Sequence, residues 1–405
     1  MKILYLHQYF NTPEMSGSTR SYEMAKRLVS MGHEVYMVTS WREQSYEKDW
    51  FSTHEEGIAT YWLPVTYSNH MSYIDRFRAF IQFAWKASIM SASVPADIVF
   101  ATSTPLTIAL PGVYASHRQQ IPMVFEVRDL WPELPIAIGA LKNPVLKYLA
   151  KKLELFAYRN SDAIVALSPG MRDGVKAKGY PTDRISVIPN GSDLDRFYPN
   201  KAAGIAFRKN HGIPEDALLM AYVGTFGKVN GVGYIVELAA ALKEDGRIYF
   251  LTVGDGQEYE EVKALATKRG CLGINLQMLP KIPKSEVSTV LAAADMTVST
   301  VIPLPELEAN SANKFFDGLA AGCCMVINHK GWQAELLSSS GAGFHLSASV
   351  DEATRELTDW IENPQRVFKA GRNARKLAEE QFSIDKHATD LEQVLLTTYE
   401  RIALG

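Results

Sequence analysis

Cysteine is scarce in this sequence: Cys271, Cys323 and Cys324 are the three residues of that type among 405. Two are adjacent and none has metal-ligand spacing, so neither a disulfide framework nor a zinc site is expected. They read as small buried apolar side chains of a chain kept in a reducing cytoplasm. Long hydrophobic runs are also missing. No stretch of about 18 apolar residues occurs, so no membrane span is expected. The opening MKILYLHQYF is broken at His7 and Gln8, with no small-residue cleavage site after it, and reads as a first strand rather than a signal peptide. Surplus charge is lacking too. The 42 Lys and Arg stand against 45 Asp and Glu, a net −3 that offers nucleic acid no basic footprint. Internal repeats and low-complexity tracts are absent.

What is present is an alternation of short apolar runs with helical stretches. KILYLH, EVYMVTS, DIVFATS, PMVFEV, DAIVALS and ISVIP read as strands in the first half, with a helix from about Ser18 to Met31 closed by Gly32. The pattern restarts with LLMAYVGTFG, IYFLTVGDG, INLQMLP, MTVSTVIP and CMVINH. Between the halves lies VIPNGSDLDRFYPN, rich in Pro, Asn, Gly and Asp. The expected class is therefore α/β, with two tandem Rossmann-like domains, 1–190 and 198–383, and a cleft between them. A final helix over 384–405 is expected to pack back on the first domain.

Ligands of parallel α/β sheets bind where strand carboxyl ends meet helix starts. In the second half four loops occupy such places. VGTFGKVNGVG brings Gly224 and Lys228, VGDGQE brings Gly254 and Asp255, and LPKIPKSEV brings Lys281 beside Lys284. The fourth, NSANKFFDGLAAG, begins a helix with Asn313 and Lys314 and places Asp317 one turn later. Helix-start amides with an ammonium suit a diphosphate, and a carboxylate on the same face suits a ribose diol. A plain surface helix with a Lys–Asp pair would carry the same residues. In the first half, Gly17 and Arg20 sit at a helix start, and Arg128 and Asp129 end a strand.

These stretches together resemble the retaining family 4 glycosyltransferases of the two-domain GT-B fold. The carriers are GSTRSYEMAKRLVSMGHEVYMVTS, DAIVALSPGM, ISVIPNGSDLDRFYP, AYVGTFG and NKFFDGLAAG, over essentially the whole chain. GSTR, VRDLWPE and NKFFD are similar to a bacterial subgroup that builds O-antigen and capsule and includes N-acetyl-fucosamine transferases. The resemblance implies a nucleotide-diphosphate sugar as donor, most often a UDP-sugar, and no metal or other cofactor. It implies Gly17, Asn313 and Lys314 at the donor phosphates and Asp317 at the ribose. The family's first paired glutamate falls at Ala309, leaving Glu308 as the donor-sugar contact. Its usual loop Arg and Lys fall on Thr225 and Asn230, so Lys228 and Lys314 must supply the charge, and its usual His-Asp appears as Arg128–Asp129. Arg128, Asp129 and Lys314 are the expected catalytic groups.

For the acceptor, YIDRFRAFIQFAWKASIM mixes aromatics with Arg76, Arg78, Trp85 and Lys86. NPVLKYLAKKLELFAYR adds Lys147, Lys151 and Lys152 beside an apolar stripe. Both fit helices lying in a membrane interface on the cytoplasmic face of an inner membrane, with a polyprenyl-diphosphate-linked saccharide as acceptor and Arg20 near it. Core packing with a snorkelling basic face is the competing reading. Two other functions share this fold or site: a UDP-sugar 2-epimerase, which needs no acceptor, and a non-catalytic nucleotide-sugar-binding protein.

Overall fold

The structure, a computed structural model, describes residues 1–15, 17–43, 45–67 and 71–403. Two sheets form. The first contains β1 (Lys2–Leu6), β2 (Glu34–Trp41), β3 (Phe51–Glu55), β4 (Ile58–Pro64), β5 (Ile98–Thr102), β6 (Met123–Val127), β7 (Ala163–Ala166) and β8 (Ile185–Val187), in the order β3-β4-β2-β1-β5-β6-β7-β8. The second contains β9 (Leu218–Val223), β10 (Ile248–Val253), β11 (Leu276–Leu279), β12 (Met296–Ser299), β13 (Cys324–Ile327) and β14 (Gly343–His345), in the order β11-β10-β9-β12-β13-β14. Central strands such as β5, β6 and β7 are buried at every residue, as continuous apolar runs in parallel sheets should be.

The expectation of purely parallel pairing needs one correction. β3 runs antiparallel to β4 at the sheet edge. The turn is Glu56-Gly57, both at positive φ (50° and 85°), the geometry of a two-residue hairpin.

Helices cover both faces of the first sheet. Tyr73–Ser93, Ala109–Gln119 and Pro144–Arg159 share one apolar cluster on one face. The helix Arg20–Ser30 and the final helix Ile384–Ala403 share the cluster on the other face. That final helix contributes Ile384, Ala388, Leu391 and Leu395 to the first sheet's core, and His33 Nε2 meets Glu392 Oε1 at 2.8 Å. Residues 404–405 of the expected helix lie outside the described residues.

The chain leaves the first sheet after Val187, enters the second with the helix Lys201–His211, and returns at Ile384. The two crossings are tied: Ser192 N–H donates to Phe382 O at 2.9 Å and Ile384 N–H to Ser192 O at 3.0 Å. In each sheet the strand order reverses around one strand, β1 in the first and β9 in the second. The carboxyl ends of both strands face the gap between the lobes. Such switch points are where open α/β sheets bind ligands.

Candidate active site between the two sheets

A cleft of about 690 Å³ lies between the carboxyl edges of the sheets. All four glycine and lysine loops of the second half reach it. Gly224, Thr225 and Asn230 follow β9, Gly254 and Asp255 follow β10, Lys281 and Lys284 follow β11, and Asn313, Lys314 and Asp317 open the helix Asn313–Ala320. The glycine at 254 is a packing necessity. A Cβ there would sit 1.9 Å from the Gly224 carbonyl oxygen, so two backbone loops meet closely enough to form one floor.

Lys314 is the central cation of that wall. Its Nζ donates to Tyr222 Oη at 3.1 Å and to Asn230 Oδ1 at 3.0 Å and lies 4.4 Å from the Tyr222 ring centroid. None of these partners is charged. Burial without a carboxylate lowers the ammonium from its ordinary 10.5 to about 7. No side chain caps the helix start, where Ala312 holds the cap position. Open helix-start amides and an uncompensated ammonium together attract a dianion.

Asp317 is more engaged than its sequence position suggested. It forms an ion pair with Lys284 and accepts from Ser192 Oγ at 2.9 Å, while still lining the cleft. A ribose diol there would share or displace the Lys284 contact.

The first domain supplies the opposite wall. Arg128, at the end of β6, approaches His7 Nε2 at 3.3 Å and donates to Ser18 Oγ at 3.1 Å. Ser18 also accepts from Asn313 Nδ2 at 2.8 Å, so one hydroxyl joins Arg128 to the donor helix of the other domain. Gly17, at φ 127°, lines the cleft beside it, where a Cβ would press to 2.8 Å from Asn11 Nδ2. His7 is buried, and its Nδ1 has no partner among the described residues. Burial, and then the charges of Arg128 and Arg42, hold its pKa well below the ordinary imidazole value, so it is neutral.

Four expected site residues are placed differently. Arg20 is not an acceptor contact: its guanidinium is buried, 2.9 Å from Glu126 Oε1, and donates to Pro189 O and Ile188 O, which ties strand β6 to the hinge. Lys228 is exposed and does not line the cleft, because the short 3₁₀ turn Lys228–Asn230 turns Asn230 inward instead. Glu308 is exposed and off the cleft. Its loop is held against the first domain by Ser168 Oγ donating to Ala309 O at 2.7 Å and against the second by Trp332 Nε1 donating to Asn310 O at 2.8 Å. Asp129 adjoins Arg128 outside the cleft lining, and burial raises its carboxyl to about 6.

The remaining acceptor residues lie on the helix Tyr73–Ser93. Arg76 Nε donates to Met71 O at 3.2 Å and Arg78 pairs with Asp75 at 3.5 Å. Lys86 reaches Asp49 at 3.3 Å, and Trp85 is 73% exposed. Sequence reasoning missed His7, Arg42 and Tyr222. The signal was available for two of them, since His7 directly follows β1, a strand at the switch point, and Arg42 directly follows its neighbour β2.

Residues 17–191 match a family model described as a glycosyl transferase 4-like domain, and residues 205–377 match one described as glycosyl transferases group 1. An Escherichia coli K12 protein named as a colanic acid biosynthesis glycosyl transferase is 25% identical over 304 residues, 69% of this chain and 72% of that protein. The UDP-Gal:alpha-D-GlcNAc-diphosphoundecaprenol alpha-1,3-galactosyltransferase of Escherichia coli is 26% identical over 183 residues, 43% of this chain and 47% of that protein. Among solved structures, sucrose-phosphate synthase from Thermosynechococcus elongatus superposes with a TM-score of 0.78 at 16% identity, covering 99% of each chain. Anabaena HepE, solved with UDP and glucose, gives 0.72 at 16% identity over 98% of this chain and 100% of that one. These structures share the facing pair of parallel sheets, the GT-B fold. With its two halves matched by the two models and the cleft formed between them, the chain belongs to the family 4 glycosyltransferases.

Proposed function

We propose that this protein transfers a sugar, with retention of configuration, from a UDP-sugar to a polyprenyl-diphosphate-linked saccharide in the synthesis of a bacterial surface polysaccharide such as O-antigen or capsule. An N-acetyl-L-fucosamine or related amino sugar is the expected cargo. The observation that carries this reading is Lys314: an ammonium without a carboxylate partner, beside the uncapped start of a helix, facing a cleft floored by close-packed glycine loops. The UDP in complex with HepE and the diphosphoundecaprenol acceptor of the Escherichia coli galactosyltransferase support the two substrates.

In this mechanism the bond from the anomeric carbon to the diphosphate oxygen breaks. The acceptor hydroxyl forms the new bond on the same face, and its proton passes to the departing phosphate oxygen. Lys314 and the amides of the Asn313 helix stabilise the charge growing on the diphosphate. Arg128, joined to that helix through Ser18, sits on the acceptor side.

Membrane contact is part of the same proposal. The helix Tyr73–Ser93 exposes Ile74, Phe77, Ile81, Trp85 and Ile89, a stripe at three- and four-residue spacing. The helix Pro144–Arg159 exposes Val145, Tyr148 and Leu149 beside Lys151 and Lys152. Both helices cover the same face of the first sheet. No helix among the described residues is long and apolar enough to cross a membrane. Such a face suits an anionic bilayer surface.

The test is a mass-spectrometric screen of UDP-, GDP- and dTDP-sugars against short prenyl-diphosphate-sugar acceptors, with the anomeric configuration of any product read by NMR. Transfer with inversion would overturn the mechanism. Conversion of a UDP-sugar without acceptor would point to the epimerase, and UDP binding without turnover of any pair to the binding protein.

A further inference from the structure

The first-domain wall holds a second cation that the donor reading does not use. Arg42, directly after β2, lines the cleft. Its Nη2 donates to Phe10 O at 3.3 Å and to Asn11 Oδ1, both neutral acceptors. Among the described residues, no hydrogen bond engages Nε or Nη1, and no carboxylate lies within ion-pairing distance of Arg42 or of Arg128. Glu43 is the nearest acid by sequence, exposed at the mouth and not paired with it. Burial lowers the pKa of both guanidinia, the signature of cations held in a place with too little solvent and too little counter-charge. Arg128 lies 3.3 Å from the neutral His7, and the charges of both arginines act on that imidazole.

Arg42 also begins an aromatic ladder leading out of the cleft. Its guanidinium carbon lies 5.6 Å from the Tyr9 ring centroid. Tyr9 is 4.8 Å from Tyr67, and Tyr67 stacks on Phe80 at 5.9 Å. Phe80 belongs to the helix Tyr73–Ser93, whose Arg76 lies 6.0 Å over Tyr67. Beyond Phe80 comes that helix's exposed apolar face, with Phe77, Ile81 and Trp85. Cation, apolar ring path and apolar exit therefore follow in order from the cleft to the outer surface. A ligand matched to this sequence has a phosphate group inside and an aliphatic chain leaving over the rings.

The geometry points to Arg42, with Arg128 behind it, as the site that holds the diphosphate of a prenyl-linked acceptor, whose chain runs over Tyr9, Tyr67 and Phe80 to the helix Tyr73–Ser93. This deepens the acceptor part of the function proposed above and rests on it. The donor diphosphate and the acceptor diphosphate then occupy opposite walls, Lys314 on one and Arg42 on the other.

The experiment titrates farnesyl diphosphate and farnesol, by calorimetry, into the full-length protein saturated with UDP so that the donor site is filled. Wild type is expected to bind the diphosphate at least tenfold more tightly than farnesol. Arg42→Gln should lose tenfold or more for farnesyl diphosphate, with UDP affinity and farnesol binding unchanged. Arg42→Lys, which keeps the charge and loses the fork, should lose only a few-fold and covers the case of an unfolded glutamine variant. Unchanged diphosphate affinity in both variants overturns the assignment, as does wild type binding farnesol as well as the diphosphate. If UDP itself fails to bind, the donor reading falls, and the same titration without UDP still decides the Arg42 site.

Discussion

Replacing Lys314 by methionine should make the unliganded protein more stable while removing most of its activity. The stability part follows from burial. Lys314 titrates near 7 in the fold against an ordinary 10.5, and burial alone is the cause. Holding the charged form there costs on the order of 5 kcal/mol, and water in the open cleft reduces that to roughly half. The neutral hydrogen bonds to Tyr222 and Asn230 and the ring contact return about 1–2 kcal/mol. The net gain on substitution is therefore about 0.5–1.5 kcal/mol. Its sign depends on pH in a defined way. A lysine whose pKa is depressed by folding destabilises the fold fully below the folded value of about 7. That penalty shrinks as pH rises and vanishes above the unfolded value. Thermal melts should thus show Lys314→Met above wild type by a few degrees at pH 6.5, with the gap closing toward pH 10. Activity should fall about 30- to 1,000-fold in kcat/KM, the effect of losing about 2–4 kcal/mol of leaving-group stabilisation. A companion measurement is proton uptake. At pH 8 about nine-tenths of a proton should be taken up per UDP bound, as the dianion restores the ammonium's pKa, and none of that increment should remain in Lys314→Met. A variant less stable than wild type at pH 6.5, with near-normal turnover, would show Lys314 to be a structural lysine and sink the reasoning.

Three further outcomes are expected. Arg20→Ala should cost about 3–5 kcal/mol in urea unfolding, because the fully buried Glu126 keeps only the Thr102 hydroxyl; Arg20→Met with Glu126→Leu should recover most of it, and an activity loss without destabilisation would return Arg20 to the substrate site. Asp317→Asn should weaken UDP by about tenfold and abolish any preference over 2′-deoxy-UDP; a retained preference would assign the ribose to another group. Trp85→Glu with Leu149→Glu should abolish flotation with anionic liposomes and leave UDP affinity unchanged, since each exposed apolar side chain contributes about 1.5–3 kcal/mol when withdrawn from water; flotation unaltered by the pair would remove that face as the membrane contact.

The parts of the molecule set by local pattern could be read from the chain, and those set by convergence could not. Strands such as β5 and β9 are short apolar runs and announce themselves, and Pro-Asn-Gly marks the hinge. β3, β4 and β14 escaped the reading. β3 carries the half-buried alternation of an edge strand, and β14 has only three residues. The four second-domain loops share a sheet edge, so strand-end logic found them. Their side chains obey finer rules: Lys228 points outside, and Asn230, with only Val229 between them, faces Lys314. Arg20 misled because an arginine at a helix start looks the same whether it serves a ligand or the buried Glu126, which lies 106 positions further along the chain. His7 and Arg42 carried the strand-end signal, but nothing in their neighbours reveals that no carboxylate will fold against them.

That lack of counter-charge is what joins the two walls. A transfer between two diphosphate-bearing substrates has to bring two dianions into one cleft, where they repel at close range. Cations already paired with protein carboxylates would be of little use, because each would have to exchange one anion for another. Lys314, Arg42 and Arg128 carry no such pairs among the described residues. The difficulty moves to the empty protein, in which three half-buried cations share one cleft. Two features relieve it. His7 beside Arg128 stays neutral, and Lys314 is half deprotonated near pH 7, so the second-domain wall carries its full charge only when a dianion arrives to hold it. Donor binding then draws in the proton, and the Asn313–Ser18–Arg128 hydrogen bonds join the charged donor helix to the acceptor wall. A Ser18→Ala variant should separate the two effects: UDP affinity and its proton uptake persist, while kcat falls because Arg128 loses its link to the donor helix. Equal losses in UDP affinity and in kcat would mean that Ser18 acts on the donor alone and that the walls are not coupled through it.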